Sequence, residues 1–172
     1  MQTLKIGTLE IPARGALDLD QTYEPIGGEI ILRTMSGLGI KQVTWAKLRT
    51  VISGGGWVPP GIAALDPTQQ YSVACVVPRT ITADGARQAT LPAARRSDSG
   101  CTPYGIALFP DHSIVEVPVS LVGNLATADA ASGAVAYQVG YYPLLTCWIS
   151  RPTESGSRGD ASHRWEIEAE EV

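Results

Sequence analysis

Along most of this chain, apolar and polar residues alternate with a period of two, and almost nowhere with the 3.6-residue period of a helix. The alternation is cleanest over His163–Glu171. Trp165, Ile167 and Ala169 share one face there, and Arg164, Glu166, Glu168 and Glu170 share the other, as in a surface strand of an antiparallel sheet. Thr3–Ile11 and Ala134–Tyr142 read as strands, the second placing Val135, Tyr137, Val139 and Tyr141 together. Tyr71–Val77 is an apolar strand stopped by Pro78, and Leu144–Ile149 resumes after the break at Pro143. Glu29–Arg33 is a short strand after a turn at Pro25-Ile26-Gly27-Gly28. Ile40–Ile52 is the longest run, with Val43, Trp45 and Val51 on one face and Thr44, Ala46, Leu48 and Ile52 on the other. Neither face is polar, so part of its length is expected to be covered on both sides.

Tyr104–Phe109 and Ile114–Leu121 predict a hairpin across Pro110-Asp111-His112-Ser113, and Pro118 marks an edge or a bulge in its second strand. The one helical signal is Asn124–Ser132, with Asn124 as cap and Gly133 as stop. About nine strands separated by turns predict an all-β fold: a single domain over 1–172, an antiparallel β-sandwich or split barrel. Three extended loops are expected to leave it, at about 53–67, 84–103 and 151–162.

The first of these loops is the most distinctive stretch of the chain. Ser53-Gly54-Gly55-Gly56 reads as a hinge that opens onto Trp57-Val58-Pro59-Pro60-Gly61, a stiff turn presenting an indole. Two readings of Trp57 stand side by side: a cap on the core, or an anchor for a neighbouring subunit. The second loop carries Arg87, Arg95 and Arg96. Set against the acidic final strand, it offers like subunits an electrostatic head-to-tail contact.

Composition narrows the function. With 44% hydrophobic and 17% charged residues, the 172-residue chain can bury a real core. A formal net charge of −4 argues against nucleic acid as a main partner. No apolar run approaches the roughly 20 residues of a membrane helix, and the amino terminus has no apolar h-region, so no signal peptide is expected. Three cysteines, Cys75, Cys101 and Cys147, lack metal-ligand spacing and read as buried thiols.

Candidate chemistry is sparse. His112 and His163 are the only histidines, and neither sits in a metal-binding motif, so no metal or cofactor is expected. Asp111-His112 with a nearby serine lacks the G-x-S-x-G elbow of a hydrolase, and the chain is expected not to be an enzyme. Ser53–Trp57 lacks the Lys-Ser/Thr of a phosphate-binding loop. Arg158-Gly159-Asp160 matches an integrin-binding tripeptide, for which chance is explanation enough.

The runs Glu29-Ile-Ile-Leu-Arg-Thr-Met-Ser-Gly37, Ile40-Lys-Gln-Val-Thr-Trp45, Ile52-Ser-Gly-Gly-Gly-Trp-Val-Pro-Pro-Gly61 and Leu65-Asp66 resemble small structural tail-tip or baseplate proteins of long-tailed (siphovirus-like) bacteriophages. The likeness covers mainly residues 24–67, with weaker similarity in Tyr71–Arg79 and Trp165–Val172. It implies a β-rich virion protein, made in the host cytoplasm, that forms a homo-oligomeric ring linking the tail tube to hub and fibre proteins. No catalytic residues come with it. The competing expectations are a carbohydrate- or receptor-binding module and a small cell-wall hydrolase.

Overall fold

A computed structural model describes residues 2–172 and is all-β, its paired strands running antiparallel. The strands are β1 (Lys5–Ile6), β2 (Leu9–Glu10), β3 (Asp20–Arg33), β4 (Gly39–Gly56), β5 (Gln70–Ala74), β6 (Arg79–Thr82), β7 (Gln88–Thr90), β8 (Tyr104–Leu108), β9 (Ile114–Val117), β10 (Val119–Val122), β11 (Leu125–Ala128), β12 (Ala136–Tyr141), β13 (Leu144–Ile149), β14 (Thr153–Ser157) and β15 (Ser162–Glu171). Only two single 3₁₀ turns, Ala13–Gly15 and Ile62–Ala64, interrupt them among the described residues. The chain divides into two compact units, one of residues 2–6 and 73–145 and the other of 7–72 and 146–172.

The first unit is a small sandwich. One sheet has the order β6-β12-β8-β9 and the other β10-β11-β7. Ala89, Leu91 and Ala126 pack against Val139 and Tyr141, and Ala107 and Val117 pack against Ala128. Small residues bring the sheets close: a Cβ on Gly105 would lie 2.7 Å from Val117 Cγ2 and 3.1 Å from Ala128 Cβ. Pro118 cannot donate to a ladder, and there the strand expected over Ile114–Leu121 breaks into β9 and β10, which belong to different sheets.

The helix expected over Asn124–Ser132 is not formed. Gly123 (φ +62°) and Asn124 make a two-residue turn between Val122 and Leu125, and β11 pairs with β10 on one side and β7 on the other. A glycine with positive φ at the first turn position suits a tight hairpin. The ladder on both sides then overrides the helical preference of the alanines, burying Ala126 and Ala128.

The loop expected at 84–103 does not leave the body. It contributes β7, buries Leu91 and Cys101, and forms a bridge between Arg95 and Pro143.

In the second unit β15 lies at the centre. β4 runs along one side, with register partners from Glu170↔Arg49 to His163↔Gly56. The other side is shared by β14, opposite Ser162–Glu166, and by β13, opposite Ala169–Glu171. Its alternation holds as predicted: Trp165, Ile167 and Ala169 are buried. Trp165 Nε1 donates to Gly15 O at 2.7 Å, satisfying the indole inside the core. Much of the segment expected to loop out at 151–162 is strand β14, leaving a tip at 158–161.

The three glycines are not a hinge. They close β4 as ladder partners of His163, Arg164 and Trp165. A Cβ on Gly54 would lie 2.7 Å from Trp165 Cζ2 and one on Gly55 2.8 Å from Asp18 Oδ1, while one on Gly56 would collide with Arg14 O. The backbone they admit belongs to this chain. The turn expected at Pro25–Gly28 is likewise absent, because β3 runs through it. Pro25 is tolerated since β3 is an edge strand, paired with β4 alone.

Candidate functional site: a two-stranded arm

β15 leaves β4 at Arg49, and the Glu171 carboxylate accepts from Leu48 N at 2.9 Å. Beyond that point β3 and β4 continue as a two-stranded ribbon to a tip at Thr34–Leu38. Every residue from Glu29 to Ala46 is exposed. The double-sided cover expected for Ile40–Ile52 therefore exists only toward Ile52. The other end is bare on both faces because no third strand reaches it.

Opposed residues of an antiparallel pair share a face. Leu32 opposes Ile40 and Ile30 opposes Gln42, giving one face that is apolar apart from Gln42. The other carries Ile31 and Val43 with a Lys41–Glu29 ion pair of 2.6 Å. A bulge between Gly28 and Glu29 is closed by Thr44 Oγ1, which donates to Gly28 O at 2.8 Å. Trp45, half exposed, lies over Gly28, where a Cβ would come within 2.5 Å of its Nε1.

The tip is ordered by its own polar groups. Thr34 N donates to Leu38 O (3.0 Å), Gly37 N to Thr34 O (2.9 Å) and Leu38 N to Thr34 Oγ1 (3.1 Å), with Gly37 at φ +82°. Met35 stands fully exposed at the end.

The predicted site residues divide. Trp57 is held by its backbone, N to Arg14 O at 2.8 Å, with its side chain 67% exposed, so it is not a core cap within this chain. Val58 and Pro59 are exposed beside it and Pro60 is buried. A concavity of about 280 Å³ borders Trp57, lined by Leu17, Asp18, His163 and Arg164.

The arginines do not reach outward. Arg96 is 3% exposed and donates to the carbonyls of Thr3, Ala74 and Cys75 and to both oxygens of Asp98. The hydrogen bonds between Arg96 and Asp98 raise the guanidinium's pKa and pull the Asp98 carboxyl down to about 2. Arg95 donates to Pro92 O, Asn124 Oδ1 and Gly123 O, and Arg87 Nε to Ala128 O. The acidic strand has its own counterion, since Arg49 lies 3.2 Å from Glu168 and 3.5 Å from both Glu24 and Glu170. Both halves of the expected head-to-tail contact are thus engaged inside the chain.

His112 occupies a turn at φ +65°, while the Asp111 carboxylate accepts from Ser113 Oγ (2.7 Å) and N (3.1 Å), which lowers its pKa. Asp111 is thereby directed at Ser113. Burial raises the pKa of the Cys101 thiol, and all three cysteines are buried. Among the described residues, no group of three or more His, Cys, Asp or Glu is placed to hold a metal ion, and no helix is long and apolar enough to cross a membrane.

Comparison with protein families, curated proteins and solved structures returned no match. The arm is the feature that sequence reasoning missed. Its signal was present in the dense apolar runs on both sides of Thr34-Met35-Ser36-Gly37, but those runs read equally well as buried strands.

Proposed function

We propose that this chain is a non-enzymatic structural subunit of a larger assembly, namely the tail tip or baseplate of a long-tailed bacteriophage. The observation that carries this reading is the arm. A two-stranded ribbon is marginal by itself in water, and this one displays Ile30, Ile31, Leu32, Met35, Leu38, Ile40, Val43 and Trp45. Spread over both faces and the tip, they form a run of exposed large apolar side chains rather than the scattered single ones ordinary on a monomer. The residues that resemble tail-tip proteins, 24–67, contain the whole arm. In this reading copies form a ring around the tube and meet hub and fibre proteins, with the arm and the exposed Trp57 turn as contacts.

Electron cryomicroscopy of the particle that carries this chain is the test. Density for several copies in a ring at the tail end is expected, and purified tails without the chain would overturn the reading. A second reading, a glycan- or receptor-binding module, rests on the exposed Trp57 beside a concavity that also holds Asp18, His163 and Arg164. Saturable glycan binding, abolished by Trp57→Ala in a chain that still folds, is its signature.

A further inference from the structure

We infer that the arm's partner is a second copy of this chain, joined by antiparallel pairing of the two β4 strands about a two-fold axis at Gln42. The inference rests on the assembly reading and names one contact in it: a two-fold contact closes on two copies, so it joins subunits in pairs and leaves ring closure to other surfaces such as the Trp57 turn. Along the ribbon, hydrogen-bonded and non-hydrogen-bonded pairs alternate. The Thr34 N–Leu38 O bond places Leu32/Ile40 and Ile30/Gln42 in the hydrogen-bonded pairs. Gly39 and Lys41 therefore turn their N–H and C=O groups away from β3, toward the side of β4 where β15 ends. An incoming strand on that side would continue the line of β15. The opposite edge of the ribbon is poorer, since β3 carries Pro25, Gly27 and Gly28 while β4 has no proline from Gly39 to Gly56.

The side chains fit a copy of themselves in one register. With the axis at Gln42, each Lys41 faces Val43 of the other copy instead of the other Lys41. Gln42 meets Gln42, the one polar residue of the apolar face, and an amide both donates and accepts, so two of them satisfy each other. Ile40 of each copy then extends the apolar face of a four-stranded sheet, which remains available to other neighbours of the assembly.

The test uses the full chain in solution. Sedimentation should show a dimer at tens of micromolar. Lys41→Pro, which removes an outward N–H without breaking the β3 ladder, should weaken association at least tenfold with an unchanged circular dichroism spectrum. Lys41→Ala, which keeps the N–H, should associate like the wild type. Gln42→Cys should form a disulfide-linked dimer under mild oxidation, because residues opposed at a non-hydrogen-bonded pair lie about 4.5 Å apart at Cα. Val115→Cys, exposed on β9, should not. A monomeric wild type, equal behaviour of the two Lys41 variants, or no preference for Gln42→Cys would each overturn the pairing. A monomer in solution that is still found in the tail would remove this contact and leave the assembly reading intact. An arm-linked dimer absent from tails would do the reverse.

Discussion

Individual residues in this protein are set by what their backbones must approach. Gly56 is the sharpest case, because any Cβ there meets the Arg14 carbonyl, while Gly85 has nothing within 4 Å and no positive φ. Gly56→Ala should therefore cost about 1–3 kcal/mol and lower the melting temperature by roughly 2–12 °C. Gly85→Ala should be neutral or stabilise by up to about 1 kcal/mol. Thermal unfolding of the two variants checks the contrast. Asp98 is set by charge. Its carboxyl falls from the ordinary 3.8 to about 2 because Arg96 donates to both oxygens. A depressed folded-state pKa adds stability that is fully present above about pH 4 and is lost as pH falls through about 2. Denaturation midpoints measured between pH 5 and 2 should decline less steeply in Asp98→Asn than in the wild type, and parallel curves would show that the pair contributes no such linkage.

At the level of elements, the same strand has two physical lives. From Arg49 to Gly56, β4 lies between β3 and β15, with Thr50 and Ile52 buried. From Gly39 to Lys47 it has only β3 beside it. Opening free energy follows the number of flanking strands and the burial behind them. Amide exchange in the separated protomer should accordingly be fast over 29–33 and 39–47 and slow over 50–53 and 165–169. Association should slow it at Lys41 most clearly, since that amide points outward in the alternating ladder. Uniform protection along β4 would contradict this division. β11 teaches the complementary lesson. Leu-Ala-Thr-Ala favours a helix locally, yet the Gly123-Asn124 turn returns the chain beside β10, and two ladders outweigh propensity.

For the molecule as a whole, an acidic chain with pI about 5.1 bears an apolar arm. Charge repulsion fades as pH approaches 5 while the apolar attraction persists. Turbidity should thus rise near pH 5, and much less in a variant with Ile30, Leu32 and Ile40 changed to Ser; equal turbidity would place the attraction elsewhere. How much was legible beforehand follows from the same physics. About nine strands separated by turns were enough for the all-β class, and period-two alternation in His163–Glu171 for the burial of Trp165, Ile167 and Ala169, because a pleated strand alternates its faces whatever surrounds it. The prolines made the Trp57 turn legible as a stiff one, but the sequence left open whether its indole caps the core or stands exposed. Alternation says which residues share a face but not whether anything covers that face. Cover depends on non-local contacts: β15 ends at Glu171, opposite Cys147 of β13, and so leaves Ile40, Val43 and Trp45 bare. Likewise Arg96 could be read as a cation in a loop, but only the fold supplied the three carbonyls and the carboxylate that turn it inward. The sequence by itself determined the all-β class and, within its cleanest strands, which residues share a face. Tertiary structure decided which faces are covered, which charges are already matched, and that the longest hairpin ends as an open arm.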